Sequence, residues 1–296
     1  MTNDSPQENR RSAAPAVMVN IAGLEPLRAR ENLPAYVTSL WKTRFFIARD
    51  AKARSMSEGR GMLLGYAWVF LNPAIQVGLY AFIFGLILKT NRGVDNFIGF
   101  LIIGVTFFGF VSAGLNAGAL VIQRNRGLLN SFNFPKAAVP ISTGLRLFYD
   151  NAPAAILAVV FALLSQHGKP PSWTVLLVLP VYLLLHLFIV GIILIVARIT
   201  AFIPDFRSLI QVVTRILFFT SGVFWPIEHF VHDEALASIL KFNPFYQFLN
   251  CVRTLVLDGD FPSMLTLSSV VIWPLATFLV GLIYFWGEEH RYAGVK

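Results

Sequence analysis

Residues 97–122 read FIGFLIIGVTFFGFVSAGLNAGALVI, twenty-six positions without one charged side chain. About 20 apolar residues in a helix already cross a hydrocarbon core, so this stretch predicts a membrane span. An equally uncharged run precedes it at 62–88, MLLGYAWVFLNPAIQVGLYAFIFGLIL. Further apolar runs lie at 174–197, 209–225 and 268–286, and one at 137–165 is interrupted by Arg146 and Asp150. The expected fold is an all-α polytopic membrane protein with six transmembrane helices, the fifth being the least regular. Composition agrees: 14% of the 296 residues are charged, against about 25% in soluble domains.

The net charge of +8 invites a nucleic-acid reading, but the positions of the charges argue for a membrane. Lys42, Arg44, Arg49, Lys52, Arg54 and Arg60 precede the first span. Arg124, Arg126 and Lys136 lie between the second and third, Arg198 and Arg207 between the fourth and fifth, and Arg291 and Lys296 follow the sixth. The alternate loops hold only Lys89, Arg92, Lys169, Lys241 and Arg253. Such asymmetry marks the cytoplasmic side and predicts both termini there. Residues 1–35 are polar and lack a short apolar segment ending in small residues, so they read as a disordered cytoplasmic tail rather than a signal. The single Cys251 leaves no internal disulfide framework.

Residues 36–60 differ from both tail and spans. Val37, Leu40, Trp41, Phe45 and Ala48 recur at helical spacing while Lys42, Arg49 and Lys52 point elsewhere, which predicts an amphipathic helix in the membrane interface; a helix packed on the bundle is the other reading. The domain of six spans then occupies 61–287, and 288–296 form a cytoplasmic C-terminal tail. Before the last span, residues 222–262 are too polar to cross and too apolar for an open loop. Trp225-Pro226 and Asn243-Pro244 divide them, predicting two short re-entrant helices over 225–250, with Phe242, Phe245, Tyr246 and Phe248 near an exit. A cap lying on the outer surface is the alternative.

No catalytic chemistry shows. Gly168-Lys169 runs into two prolines rather than forming a phosphate loop. His229 and His232, beside Asp233 and Glu234, read as a solvated loop, and no metal spacing or nucleophile elbow appears. Ionisable groups inside a bilayer are costly. Arg146 and Asp150, four apart, can pair on one helix face; Arg215 should face a polar interior or snorkel; His186 reads as a packing residue. Gly114 and Gly118, with Gly99, Gly104 and Gly109, permit close helix approach, either within one chain or between subunits.

Between the second and third spans lies NRGLLNSFNFPKAAVP (125–140), a basic element too structured for a plain connection. A transporter that borrows its ATPase from another polypeptide needs such an element. Here FPKAAVPIS (134–142) after NRGLLNSF resembles a signature of polysaccharide-exporting ABC transporter permeases, which move O-antigen, capsule, teichoic acid or cell-wall galactan on lipid carriers. IARDAKARSMSEGRGMLLGYAWVFLNPAIQVGLYAFIFG (47–85), PDFRSL (204–209) and FNPFYQFLNCVRTLVLDG (242–259) are similar to further family motifs in the same order. In place of the usual basic cluster before the first span, Glu58 and Gly59 interrupt the run.

The resemblance implies a homodimer of this chain with two nucleotide-binding ATPase subunits, in the bacterial plasma membrane and among its lipids. ATP and Mg would be bound by those partners; this chain carries no cofactor, no metal and no enzymatic activity, and nucleic acid has no part. It implies a coupling helix near 124–133 formed by Asn125, Arg126, Gly127, Leu128, Leu129 and Asn130. Phe134, Pro135 and Lys136 then make the turn into the next span. Arg49, Asp50, Lys52, Arg54 and Arg60 would sit at a cytoplasmic entrance, the cations facing a polyprenyl-diphosphate-linked glycan; topology and lipid headgroups are their other reading. The long tail and the GVFWPIE stretch (222–228) are more like the actinobacterial galactan branch. A drug or lipid exporter of the same superfamily is the alternative, and an ATP-independent carrier or a membrane-embedded lipid-modifying enzyme stands further off.

Overall fold

The computed structural model describes residues 32–55, 67–80, 82–83, 93–131, 134–166, 170–227 and 233–294. Arg60, Glu58, Gly59, His229, His232, the tail through residue 31 and much of the first apolar run lie outside the described residues. Among the described residues every regular element is helical. In chain order they are α1 (Leu33–Lys42), α2 (Arg44–Ser55), α3 (Ala67–Tyr80), α4 (Phe97–Arg124), α5 (Arg126–Ser131) and α6 (Ala138–Leu164). Then follow α7 (Val178–Phe202), α8 (Phe206–Thr220), α9 (Glu234–Phe242), α10 (Pro244–Arg253) and α11 (Met264–Trp286).

Among the described residues, four segments are long and apolar enough to cross a membrane: α4, α6, α7 with its leading 3-10 turn from Trp173, and α11. Two of them begin where the sequence supplies a cap. Asn96 accepts the Gly99 amide at 2.9 Å to open α4, and Ser263 accepts the Thr266 amide at 3.3 Å to open α11; both satisfy orphan donors of a first turn. The apolar run 209–225 does not continue as one helix. It stops at Thr220, because Gly222 adopts a left-handed φ of 63°, a conformation glycine reaches without steric penalty.

α4 and α7 form the centre, with α6, α8, α10 and α11 around them. Small residues set their spacing. A Cβ on Gly114 would sit 2.5 Å from Ile189, and one on Gly118 would sit 3.1 Å from the Ile193 backbone. Gly114 and Gly118 of α4 therefore seat α7 of the same chain. Gly191 and Gly281 make the tightest crossing, each Cβ position lying 2.6 Å from the other helix's backbone. That contact lets α11 lie directly on α7.

The segment read as one interface helix is α1 followed by α2, joined at Thr43. It has two apolar faces. Tyr36, Ile47 and Ala51 are buried, and α2 packs on α6. Trp41 and Phe45 are 68% and 65% exposed, with the Arg44 guanidinium over both rings at 5.0 and 4.4 Å.

Candidate functional site

At the end of the bundle that carries the arginines and lysines, α4 gives way to the NRGLLNSFNFPK element. Asn125 closes α4 by donating from Nδ2 to the Val121 carbonyl at 2.8 Å, and its own backbone carbonyl accepts the Leu129 amide at 3.0 Å. The resulting helix α5 has an inner and an outer side. Leu129 is 1% exposed and belongs to the core, whereas Arg126, Gly127 and Asn130 are exposed. The turn that follows is fastened on several sides. Lys136 Nζ donates to the Leu129 carbonyl at 2.6 Å and lies 5.2 Å from the Phe134 ring centre. Phe134 in turn packs on Phe46 of α2 at 5.5 Å.

The start of α6 is capped from a distance. Its own N-cap residue, Ala137, offers no side-chain acceptor to the first amides. Instead Glu289 of the C-terminal 3-10 turn accepts the Lys136 amide at 2.6 Å. The Tyr36 hydroxyl accepts the Ala137 amide at 3.1 Å and donates to Glu289 at 2.8 Å. A carboxylate at a helix N-terminus also meets the favourable end of the dipole. Burial, reinforced by the Glu289 charge, holds the Tyr36 phenol well above its ordinary range.

On α2, Arg54 donates from Nε to Asp50 at 2.9 Å and from Nη1 to Asn125 Oδ1 at 2.8 Å. Asp50 also accepts the Ser142 hydroxyl. Of the five entrance residues, Asp50 and Arg54 are thus engaged inside the protein, while Arg49 and Lys52 are exposed.

Deeper in the bundle, Arg146 and Asp150 pair at 3.0 Å on α6. His186 is buried between Asn151 Nδ2, 3.2 Å from Nε2, and the Tyr182 carbonyl, 3.0 Å from Nδ1. Arg215 is exposed on α8 and continues a row with Ser208 and Gln211. On α4, Thr106, Gly109, Ser112 and Asn116 likewise form an unburied row between buried faces. Phe108 meets Phe218 at 5.2 Å and Arg253 joins Phe100 to Val223, so the two helices run antiparallel with Arg215 at about the depth of Ser112. Helical counting turns both rows to the same side.

Among the aromatics expected at an exit, Phe242 is exposed and touches Trp273 at 5.7 Å. Phe245 lies between Phe108 and Phe188, and Tyr246 and Phe248 are buried in the core. The residue that organises this region is one that the sequence places among the outer-loop charges. Arg253 is buried and donates to the Phe100, Gly222 and Val223 carbonyls at 3.0–3.2 Å. Its guanidinium lies 3.4 Å from the Phe100 ring centre. Directly after it the chain makes a π-type turn, Thr254–Asp258, closed by Gly259 at φ 76°. No signal short of the fold reveals that an arginine there reaches two other elements.

The profile of the ABC-2 type transporter family matches residues 54–257, well over half the chain. The chain belongs to that family. Relatives carry the same theme. An O-antigen export system permease protein RfbA from Myxococcus xanthus is 26% identical over 237 residues, covering 77% of this chain and 86% of the relative. An O-antigen export system permease protein RfbA from Klebsiella pneumoniae is 22% identical over 256 residues, covering 83% and 92%. The polysialic acid transport protein KpsM from Escherichia coli is 24% identical over 238 residues, covering 76% and 86%. All three are transport proteins. The ABC-2 match contains α5, both polar rows and Arg253, and starts at Arg54, so it leaves out Tyr36, Asp50 and Glu289.

Proposed function

We propose that this chain is the permease subunit of an ATP-driven exporter that moves a polysaccharide on a polyprenyl-diphosphate carrier outward across the bacterial plasma membrane. The observation that carries the reading is α5, a short helix fastened to the bundle on its inner side and presenting Arg126, Gly127 and Asn130 outward. A membrane bundle with no phosphate loop in its sequence needs a surface on which a separate ATPase can act. ATP and its Mg ion belong to that partner.

In this reading two copies of the chain pair, each with an ATPase subunit, and both termini are cytoplasmic. Six spans follow if α3 and α8 complete the set, and α9 and α10 form the re-entrant pair, α10 being the limb that enters the bundle. The polar rows of α4 and α8 favour a wet path along this face. An arginine at membrane depth is tolerated beside water or another polar partner, and Arg215 at the level of Ser112 fits a wall for a hydroxyl-rich chain. Among the described entrance residues, Arg49 and Lys52 are the exposed cations for a diphosphate, with Trp41 and Phe45 of the same α1–α2 pair for the lipid tail. Phe242 is the aromatic available at the outer end. The GVFWPIE stretch and the long tail are what favour galactan as cargo.

The test is genetic. Deleting the gene in its source bacterium should abolish the surface polysaccharide and leave its lipid-linked form inside the cell. Unchanged surface glycan in the deletion strain would refute the proposal.

A further inference from the structure

Among the described residues, and apart from the Tyr36 hydrogen bond to Glu289, the side-chain ties from the α1–α2 pair to the rest of the basic end fall on one stretch, residues 125–142. Arg54 reaches Asn125 at its start, 2.8 Å away. Phe46 packs on Phe134 in its turn, Tyr36 meets the Ala137 amide at 3.1 Å, and Asp50 takes the Ser142 hydroxyl at its end. Asp50 and Arg54 are themselves joined at 2.9 Å, so Asn125, directly before α5, and Ser142, in the second turn of α6, are bridged through an ion pair on α2. Asn125 is in addition the residue that closes α4.

We infer that Asp50 and Arg54 are positioning residues that bind α2 to the start of the coupling helix and to the first turns of the α6 helix that follows it, so that a displacement of α5 is delivered to the exposed face of α1 and α2. The inference rests on the proposed export function and deepens it. It removes Asp50 and Arg54 from the substrate contacts and makes them the transmission between ATPase and entrance. The chemistry fits a link better than a ligand site. The Arg54 fork already has one acceptor on its own helix and another on the coupling element. A carboxylate beside it would repel a diphosphate. On the same helix Arg49 and Lys52 are exposed, so the cations that can meet an anion and those that transmit motion are different residues.

The variants Arg54→Gln, Asp50→Asn and Arg54→Lys, together with the double variant Arg54→Gln/Asp50→Asn, separate the roles. The full complex with its ATPase is placed in proteoliposomes with polyprenyl-diphosphate-linked polysaccharide extracted from the producing cells. Glycan exported per ATP hydrolysed is measured at saturating and at low substrate. We expect Arg54→Gln and Asp50→Asn each to lower that ratio about tenfold, the scale of one charge-assisted hydrogen bond. The double variant should be no worse than either, since the two share one network, and Arg54→Lys should recover part. If Arg54→Gln instead raises only the substrate concentration for half-maximal export, Arg54 is a substrate contact and the inference is overturned. A second readout needs no ATPase. In the permease alone in nanodiscs, Arg54→Gln should speed amide exchange in residues 126–131 while α7 is unchanged. Unaltered exchange there overturns the inference even if the export proposal holds, and faster exchange supports it even if no ATPase binds.

Discussion

Replacing Arg253 with leucine tests how the outer half of the bundle is held. The guanidinium donates to three carbonyls from two separate places, Phe100 on α4 and the Gly222–Val223 turn after α8. Hydrogen bonds to a charged group contribute about 1.5–3 kcal/mol each, but removing the cation also relieves the cost of burying it. The three buried carbonyls left without a donor cost about 1–3 kcal/mol each, and offset against that relief the net loss is about 3–5 kcal/mol. At roughly 2–4 °C per kcal/mol for a chain of this size, the midpoint of thermal unfolding in detergent should fall by roughly 10 °C. The monodisperse fraction surviving a heating series, read by size-exclusion chromatography, measures it. Gly104→Ala supplies the internal check. Its Cβ would lie 2.3 Å from Arg253 Nη2 and 2.8 Å from the Val223 carbonyl, an overpacking worth about 1–3 kcal/mol. With leucine at 253 the clash with the guanidinium disappears, so the double variant should lose less than the sum of the two. A midpoint for Arg253→Leu within about a degree of the parent, or strict additivity, would refute the reasoning.

On α5, Arg126→Glu and Asn130→Asp should leave the chain inserted and folded but abolish co-purification of an ATPase. Leu129→Ala should instead destabilise the bundle by about 2–5 kcal/mol, visible as a lower unfolding midpoint. The pair Arg49→Gln and Lys52→Gln should raise the substrate concentration for half-maximal export without shifting that midpoint, because both side chains are exposed. Tyr36→Phe should cost about 0.5–2 kcal/mol through the lost cap. The phenol is raised by burial above its unfolded value of about 10, so the Tyr36 contribution is complete below pH ~10 and is lost as pH rises further. A pH series of unfolding midpoints should show an alkaline fall that is smaller in Tyr36→Phe than in the parent, since the buried Tyr292 phenol is raised as well.

What the sequence disclosed follows physical range. Charge-free runs are a local property, and 97–122 and 174–197 fall in α4 and α7. The four-residue spacing of Arg146 and Asp150 was enough to pair them. The same spacing joins Asp50 to Arg54, but it sits in a run of cations that equally suits an anionic ligand. In α1 and α2 the row Val37, Leu40, Trp41, Phe45 and Ala48 is marked in the sequence by its Trp and Phe. The adjacent row Tyr36, Ile47, Ala51 is buried against the bundle and could not be separated from it by periodicity alone, since neighbouring rows share one helix surface. Arg253 and Glu289 lie beyond local pattern for another reason: each has a backbone partner 153 residues away along the chain. The glycines of α4 allowed contact within or between chains, and only the position of Ile189 decided for α7. For Arg215 the sequence allows a polar interior or a snorkelling position toward the cytoplasm. The residue lies on the chain's own surface, level with Ser112, where a second copy or a water-filled path can complete its surroundings.

At the centre stands the dependence of this permease on a separate ATPase. The most direct measurement is to solubilise the tagged chain gently from its native membrane and determine the composition and mass of what purifies with it. Two copies of the chain with two copies of an ATP-hydrolysing subunit are the predicted result. A homomer free of any ATPase, from membranes that still export the glycan, would contradict it.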